Sequence, residues 1–308
     1  MKLCILLILI LVANESLPEK MNQNLDRRMQ AISEHAWHHG MQDCKNNVAP
    51  AIEVYSFSEN TYVLRQNKCL HFEAPFIYVL FGEHTVFIQD TGATADANIF
   101  PLFETVKEIV QNRAEKLNMS YRDYKWLVTH SHGHSDHIAG DLQFENKAFV
   151  SLVKPNKSAV QTAFNLGKGK WPSQNGEVDL GGRTLTIIPL PGHKSDAIAV
   201  YDSDTNWLLT GDSLYPGRLY VKKWSNFRKS ISRLTNFAKE NPITAVMGTH
   251  IEMSKQPGKD FQMGATYQPN EAPLPMSVEQ LFLLNGILRN TPEPAKVIKD
   301  KFIVYPLD

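Results

Sequence analysis

Cysteine is scarce in this chain, with three in 308 residues. Cys4 lies inside an apolar run, and Cys44 and Cys69 are not in the close spacing of a zinc ribbon, which excludes a cysteine-built metal site. An excess of charge of either sign is also missing: Lys plus Arg number 32 and Asp plus Glu number 32. That balance argues against the broad basic face that nucleic-acid binding needs, so no nucleic-acid partner is expected. No apolar run is long enough to span a bilayer. The longest, Leu3 to Ala13, has 11 residues, against about 20 for a membrane-crossing helix.

That short run follows Lys2, and a basic residue before a short apolar core is the pattern of a secretory signal peptide. We assign residues 1–16 to it and expect an exported mature chain, periplasmic or secreted, without stable membrane insertion. A lipid-bearing cysteine follows such a run, whereas Cys4 lies within it, so no lipid anchor is expected. In an oxidising compartment Cys44 and Cys69 either pair or stay reduced, and spacing does not choose between these. The apolar share of 43% is that of an ordinary globular protein.

The histidines are not evenly spread. Four of eleven fall in the eight residues His130-Ser131-His132-Gly133-His134-Ser135-Asp136-His137. The run follows Tyr124 to Thr129, which reads as a short apolar strand. A loop leaving a buried strand has the rigid base that a metal site needs. Imidazole suits zinc, and a nearby carboxylate can hold a second ion. His132 and His134 are two apart and point the same way in an extended segment, while Asp136 and His137 face elsewhere.

Organisation along the chain is read coarsely. Leu25 to Trp37 suits a short amphipathic helix, and His35, His38 and His39 read as exposed helix-end residues, without a carboxylate at useful spacing. The core begins near Ile52. Phe76 to Phe81 and Thr85 to Gln89 read as a hairpin about Gly82-Glu83-His84, ending in Asp90-Thr91-Gly92. Ala97 to Leu117 has helical spacing. Further strands are expected at 148–153, 183–190, 197–202, 207–210 and 244–247, with helices at 155–166, 226–239 and 278–288. Three more strand ends carry a candidate ligand beside a glycine: Gly192-His193, Gly211-Asp212 and Gly248-Thr249-His250.

Taken together, His132-x-His134-x-Asp136-His137 followed by His193, Asp212 and His250, with Asp90-Thr91-Gly92 after a hairpin, resembles the metallo-β-lactamase superfamily over roughly residues 52–253. The resemblance implies an α/β fold, a four-layer αββα sandwich with the metals between two sheets. Residues 17–51 would be an N-terminal extension, and 254–308 a C-terminal extension packed on the core. It also implies two zinc ions, the first held by His132, His134 and His193 and the second by Asp136, His137 and His250. Asp212 resembles the bridging aspartate of the glyoxalase II and lactonase branches, and Asp90 would orient the ligand loop. His130 has no place in the pattern and is expected to be structural.

The implied activity is zinc-dependent hydrolysis of a small-molecule ester, thioester, lactone or β-lactam by a metal-bound hydroxide, with Asp136 orienting the nucleophile. Ser131, Ser135 and Ser213 lack a separate base, so a serine nucleophile is not expected. Three alternatives stay open: a β-lactamase proper, a mononuclear-iron oxidoreductase like the persulfide dioxygenases, and a zinc-binding protein without catalysis. Tyr215 and Arg218, close after Asp212, are candidate substrate contacts, Arg218 for a carboxylate.

Overall fold

The computed structural model describes residues 17–307, so the segment read as a signal peptide lies outside the described residues. The chain opens with helix α1 (Leu17–Glu34) and then forms β1 (Ile52–Ser58), β2 (Thr61–Gln66), β3 (Phe76–Phe81) and β4 (Thr85–Gln89). Next come α2 (Leu102–Lys116), β5 (Lys125–Thr129), the single turn α3 (Ser135–Ile138), β6 (Val150–Leu152) and α4 (Lys157–Ala163). The second half holds β7 (Gly176–Asp179), β8 (Thr184–Pro189), β9 (Ile198–Asp202), β10 (Trp207–Gly211), β11 (Arg218–Val221), α5 (Trp224–Glu240) and β12 (Ala245–Gly248). The last elements are β13 (Pro275–Met276), α6 (Val278–Asn290), β14 (Val297–Ile298) and β15 (Ile303–Pro306).

Two six-stranded sheets form, in the orders β1-β2-β3-β4-β5-β6 and β13-β12-β10-β9-β8-β7, with a small third sheet β11-β15-β14. Within the first, β4 and β5 run parallel, and within the second β10 and β12 do. Period-two alternation explains the layering. On β3, Phe76, Tyr78 and Leu80 join the core between the sheets, while Ile77, Val79 and Phe81 join the core under α2. On β10, Trp207 and Leu209 face inward, and Leu208 faces α5 and α6. Both strands are covered on both faces, which is why each reads as an unbroken apolar run. Three cores between four layers give the αββα sandwich. On α5, Phe227, Ile231, Leu234 and Ala238 form one buried stripe, and each large side chain so buried contributes about 1.5–3 kcal/mol.

Several sequence expectations shift. The helix expected from Ala97 starts at Leu102, because Asp96 to Phe100 form a turn and Pro101 suits only the entry to a helix. Helix α1 ends at Glu34, not at Trp37, whose ring leaves the helix to pack on Phe76 at 4.9 Å. His35 is half-buried rather than exposed, and its ring pairs with Glu53 of β1 at 2.8 Å, a carboxylate distant in sequence. β7, β11 and β13 to β15 gave no clear strand signal, being very short or next to proline, and β1 and β2, which mix apolar with charged and amide residues, are not among the strands expected. The tail is woven into the body: β13 extends the second sheet, β15 pairs with β11, and α6 packs against α5. α1 likewise sends Ile32 into the central core.

Two connections pin distant segments. Cys44 and Cys69 form a disulfide, settling what spacing left open. Arg183, 1% exposed, donates to Asp202 at 2.6 and 2.7 Å, to Asn60 O at 2.6 Å and to Thr61 Oγ1 at 3.0 Å, and so ties the two sheets together. Removing one partner of such a pair leaves a buried charge uncompensated. Arg183→Ala should therefore cost about 3–5 kcal/mol in urea unfolding. A loss within experimental error would show that water or a rearranged side chain neutralises Asp202.

Candidate metal centre

Every candidate ligand leaves the end of a strand. β5 delivers the histidine run, the β8–β9 connection carries His193, Asp212 follows β10 and His250 follows β12. The parallel pairing of β10 and β12 brings Asp212 and His250 to one end of the second sheet. The two sheets are joined there by Ile198 N–H donating to Ser131 O at 2.9 Å and Phe76 N–H donating to Thr249 O at 2.8 Å. Glycine is required where backbones meet. A Cβ on Gly211, at φ +53°, would lie 2.7 Å from Ser131 Cβ, and one on Gly248 would lie 2.2 Å from Tyr215 Cβ.

All seven candidate ligands converge, in two groups that share Asp212: His132, His134, His193 and Asp212, and Asp136, His137, Asp212 and His250. In the first, His132 Nε2, His134 Nδ1 and His193 Nε2 lie 2.8–3.1 Å from one another. In the second, His137 Nε2 and His250 Nε2 are 3.3 Å apart, with Asp136 Oδ2 at 3.2 and 3.4 Å from them. Asp212 stands between. Its Oδ2 is 3.7 and 3.5 Å from His132 and His193, and its Oδ1 is 3.5 and 3.3 Å from His137 and His250.

The far sides of the rings fix where the protons are. His137 Nδ1–H donates to Asp90 Oδ2 at 3.0 Å, His193 Nδ1–H to Tyr220 O at 2.7 Å and His250 Nδ1–H to Glu73 O at 3.1 Å. His132 Nδ1–H donates to Ser131 Oγ at 3.1 Å, and that hydroxyl donates to Asp90 Oδ2 at 2.9 Å. With those protons turned outward, the inward nitrogens are bare lone pairs. Lone pairs this close repel unless a cation lies among them. A tetrahedral zinc with bonds of about 2.0–2.1 Å sets its nitrogens roughly 3.3–3.4 Å apart, close to the spacing seen. The donors are imidazole and carboxylate only, a set that suits zinc. The residues fit the implied metals.

Electrostatics agree. Burial, with the neighbouring histidines, holds His132 well below its usual value and lowers His134 to about 4, so both stay neutral and able to bind a metal. Burial also pulls His137 and His250 down, but Asp136, Asp212 and, for His137, Asp90 outweigh it and raise both. Burial pushes Asp136 and Asp212 up, and the adjacent histidines overcome it and keep both ionised. This end of the site demands positive charge, and a bound metal ion supplies it in place of protons.

Asp90 lies outside both donor groups and accepts from His137 and Ser131. Fully buried, at φ +73°, it also accepts from Ser131 N–H at 2.6 Å. His130 belongs to neither group and pairs with Asp141 at 2.8 Å. The expectation for Tyr215 and Arg218 is corrected. Tyr215 is 1% exposed and its hydroxyl donates to Arg218 O, so it packs beneath His250 and cannot meet substrate. The Arg218 guanidinium borders a cavity but is saturated by Glu252 and Asp260, each at 2.7 Å, and by Phe261 O and the Tyr220 hydroxyl, which leaves no charge for a substrate carboxylate.

Ser131, Thr249, and the carbonyls of Glu73 and Tyr220 were not foreseen as supports. Ser131 does have histidines and Asp90 beside it, but it is buried and its proton is committed to Asp90, so it orients His132 and is no nucleophile. Thr249 Oγ1 donates to Asp212 Oδ1. Backbone carbonyls leave no trace in residue identity.

A family model described as the metallo-beta-lactamase superfamily matches residues 72–250. The chain is 27% identical over 174 residues to a hydroxyacylglutathione hydrolase of Bdellovibrio bacteriovorus, covering 56% of this chain and 64% of that protein. It is 25% identical over 208 residues to the acyl-coenzyme A thioesterase MBLAC2 of Bos taurus, covering 57% of this chain and 72% of that protein. The chain spans about half to two-thirds of the length of the hydroxyacylglutathione hydrolases it matches, 49% and 64% for two of them. Among solved structures, the DIM-1 metallo-beta-lactamase exposed to ceftazidime has a TM-score of 0.50 at 14% identity, covering 79% of this chain and 99% of that one, a likeness of fold alone.

The shared carboxylate sets a graded expectation. Elemental analysis of protein purified without added metal should find about two ions per chain. His193→Ala should lose roughly one and Asp212→Ala most of both, since buried ligands of a metal cannot be replaced by water at equal affinity. His130→Ala should keep nearly the full content. Equal loss in His130→Ala and His193→Ala would mean the donor set has been placed in the wrong register.

Proposed function

The chain belongs to the metallo-beta-lactamase superfamily, and from that premise we propose that it is an exported hydrolase of acyl thioesters that works with two zinc ions. The observation that carries this reading is Asp212, with one oxygen turned to each donor group. When bound, paired zinc ions lower the pKa of water toward neutrality and polarise a carbonyl oxygen. The complete second group, Asp136, His137, Asp212 and His250, favours two ions over the mononuclear-iron reading. The thioester class is supported by the two relatives above, a hydroxyacylglutathione hydrolase and an acyl-coenzyme A thioesterase. The Cys44–Cys69 bridge supports export, because oxidising compartments keep disulfides. No helix among the described residues is long and apolar enough to cross a membrane.

The chain's own residues divide the work. In the reaction, water adds to the carbonyl carbon, the carbon–sulfur bond breaks, one proton of the water passes to the leaving sulfur and the other to solvent, and a thiol and a carboxylate leave. Asp136 is the more open of the two carboxylates, its side chain 16% exposed against 9% for Asp212. Ionised, it accepts a hydrogen bond from water and aligns it. Asp212 is held by Thr249 and surrounded by imidazoles, so it stays fixed. A cavity of about 330 Å³ lined by Phe72, Glu73, Tyr220, Met263 and Gln268 adjoins the site, because Glu73 and Tyr220 are the residues whose carbonyls hold His250 and His193. Phe72 and Met263 are exposed apolar side chains there, suited to an acyl group.

The test is a hydrolysis panel on metal-loaded protein. The acetyl thioester of N-acetylcysteamine should be hydrolysed, in preference to a β-lactam, a lactone and a phosphoester. In Asp136→Asn the amide keeps size but loses charge and basicity, and kcat should fall by about a hundredfold or more, also at saturating zinc. β-Lactam turnover without thioester turnover would overturn the substrate class. Full recovery of rate on adding zinc would reduce Asp136 to a ligand.

A further inference from the structure

Overall neutrality conceals a segregation of charge. Residues 146–176 contain five lysines and no acidic residue, and residues 213–239 contain seven cations and no acidic residue. The rest of the chain is acidic by the same amount. The fold brings these two stretches together. Lys157 and Trp171 of the first face Asn226, Lys229 and Arg233 of the second across a groove of about 260 Å³. The wall between them is Pro191 and Ser195, each two residues from His193, a ligand of the first metal group.

The groove is fixed and its charge is unspent. Ser230 Oγ donates to Pro191 O at 2.7 Å and Arg233 donates to Pro189 O at 2.5 Å, which bolts α5 to the His193 loop. No carboxylate lines it. Lys157 and Lys229 are exposed, and the lysines that find an acidic partner among the described residues, Lys68 and Lys107, lie elsewhere. Trp171 is half-buried against the central core, and the Lys157 ammonium lies 5.9 Å from its ring. A rigid tryptophan among unpaired cations suits one kind of ligand: a planar base stacks on the indole while phosphates meet the ammonium groups.

We propose that this groove binds the phosphorylated, base-bearing end of the thiol half of the substrate, so that the preferred substrate is the acyl thioester of a nucleotide-bearing thiol. This rests on the thioester reading above. The cavity at Phe72 and Met263 takes the acyl half, and the groove beside His193 holds the leaving thiol by its far end. A tripeptide thiol offers carboxylates but no planar base for Trp171, and so uses the groove less fully.

Two measurements on the metal-loaded full chain separate the groove from the hydrolase reading. In the first, kcat/KM is compared for acetyl-coenzyme A, an acylated glutathione and acetyl-N-acetylcysteamine. Acetyl-coenzyme A should lead. The ratio of acetyl-coenzyme A to the truncated thioester should fall about tenfold or more in Lys157→Ala/Lys229→Ala, the loss expected when charged hydrogen bonds disappear. Lys116→Ala, on α2, should keep the ratio. In the second, calorimetry uses adenosine 3′,5′-bisphosphate, adenosine and inorganic phosphate as probes. The bisphosphate should bind best, weaken with salt, and lose about tenfold or more in affinity in the double variant and in Trp171→Ala. If the bisphosphate binds in this way but no thioester is hydrolysed, the groove stands and the hydrolase reading falls. If thioesters are hydrolysed but the ratio is the same in wild type and double variant, or the bisphosphate binds neither, the groove is overturned and the hydrolase reading stands.

Discussion

The constraint on which the rest of the structure depends is the crowding of five inward-facing imidazole nitrogens and two carboxylates into one cleft. Without cations these groups repel or must take up protons; with them, they become a coordination shell. Such an arrangement persists only if the surroundings over-determine it. Asp90 does much of this, since one buried carboxylate fixes Ser131, through it His132, and directly His137. Tyr220 and Glu73 do the same for His193 and His250 through backbone oxygens, which cannot change their protonation.

The four-layer architecture is what gives those supports their rigidity. The ligands leave strands that are buried on both faces, so no strand can shift without opening two cores. Arg183 ties the two sheets through Asp202, Asn60 and Thr61, and Ile198 and Phe76 tie them at the metal cleft. The C-terminal segment adds to this. β15 pairs with β11, and β11 carries the Tyr220 carbonyl that holds His193. Arg218, anchored by Glu252 and Asp260, keeps that strand in place. Its charge serves the scaffold, which is why it is not free for substrate.

Around the cleft the molecule is asymmetric. Beside His250 the surface offers Phe72 and Met263, and beside His193 it offers Lys157, Lys229 and Trp171. An apolar side and a cationic, aromatic side flank one candidate metal centre, an asymmetry that the proposed substrate, with an acyl half and a polyanionic half, would match.

The sequence by itself determined the candidate metal ligands, because donor chemistry depends on residue type and these residues sit at strand ends whose apolar runs are visible. His132, His134, Asp136, His137, His193, Asp212, His250 and the orienting Asp90 were all legible in this way, as was the β3–β4 hairpin, strand for strand. Only the tertiary structure decided the rest. Which charged or titratable side chains are free depends on partners far away in sequence: Glu252 and Asp260 for Arg218, Glu53 for His35. The strands β1, β2 and β11 mix apolar and charged or amide residues and take their conformation from the neighbours they pair with, so local pattern carries little of it. Two lysine-bearing stretches about seventy residues apart become one groove only when α5 packs against the His193 loop. Long-range pairing assigned these charges their roles, because a charge acts through whatever stands opposite it in space.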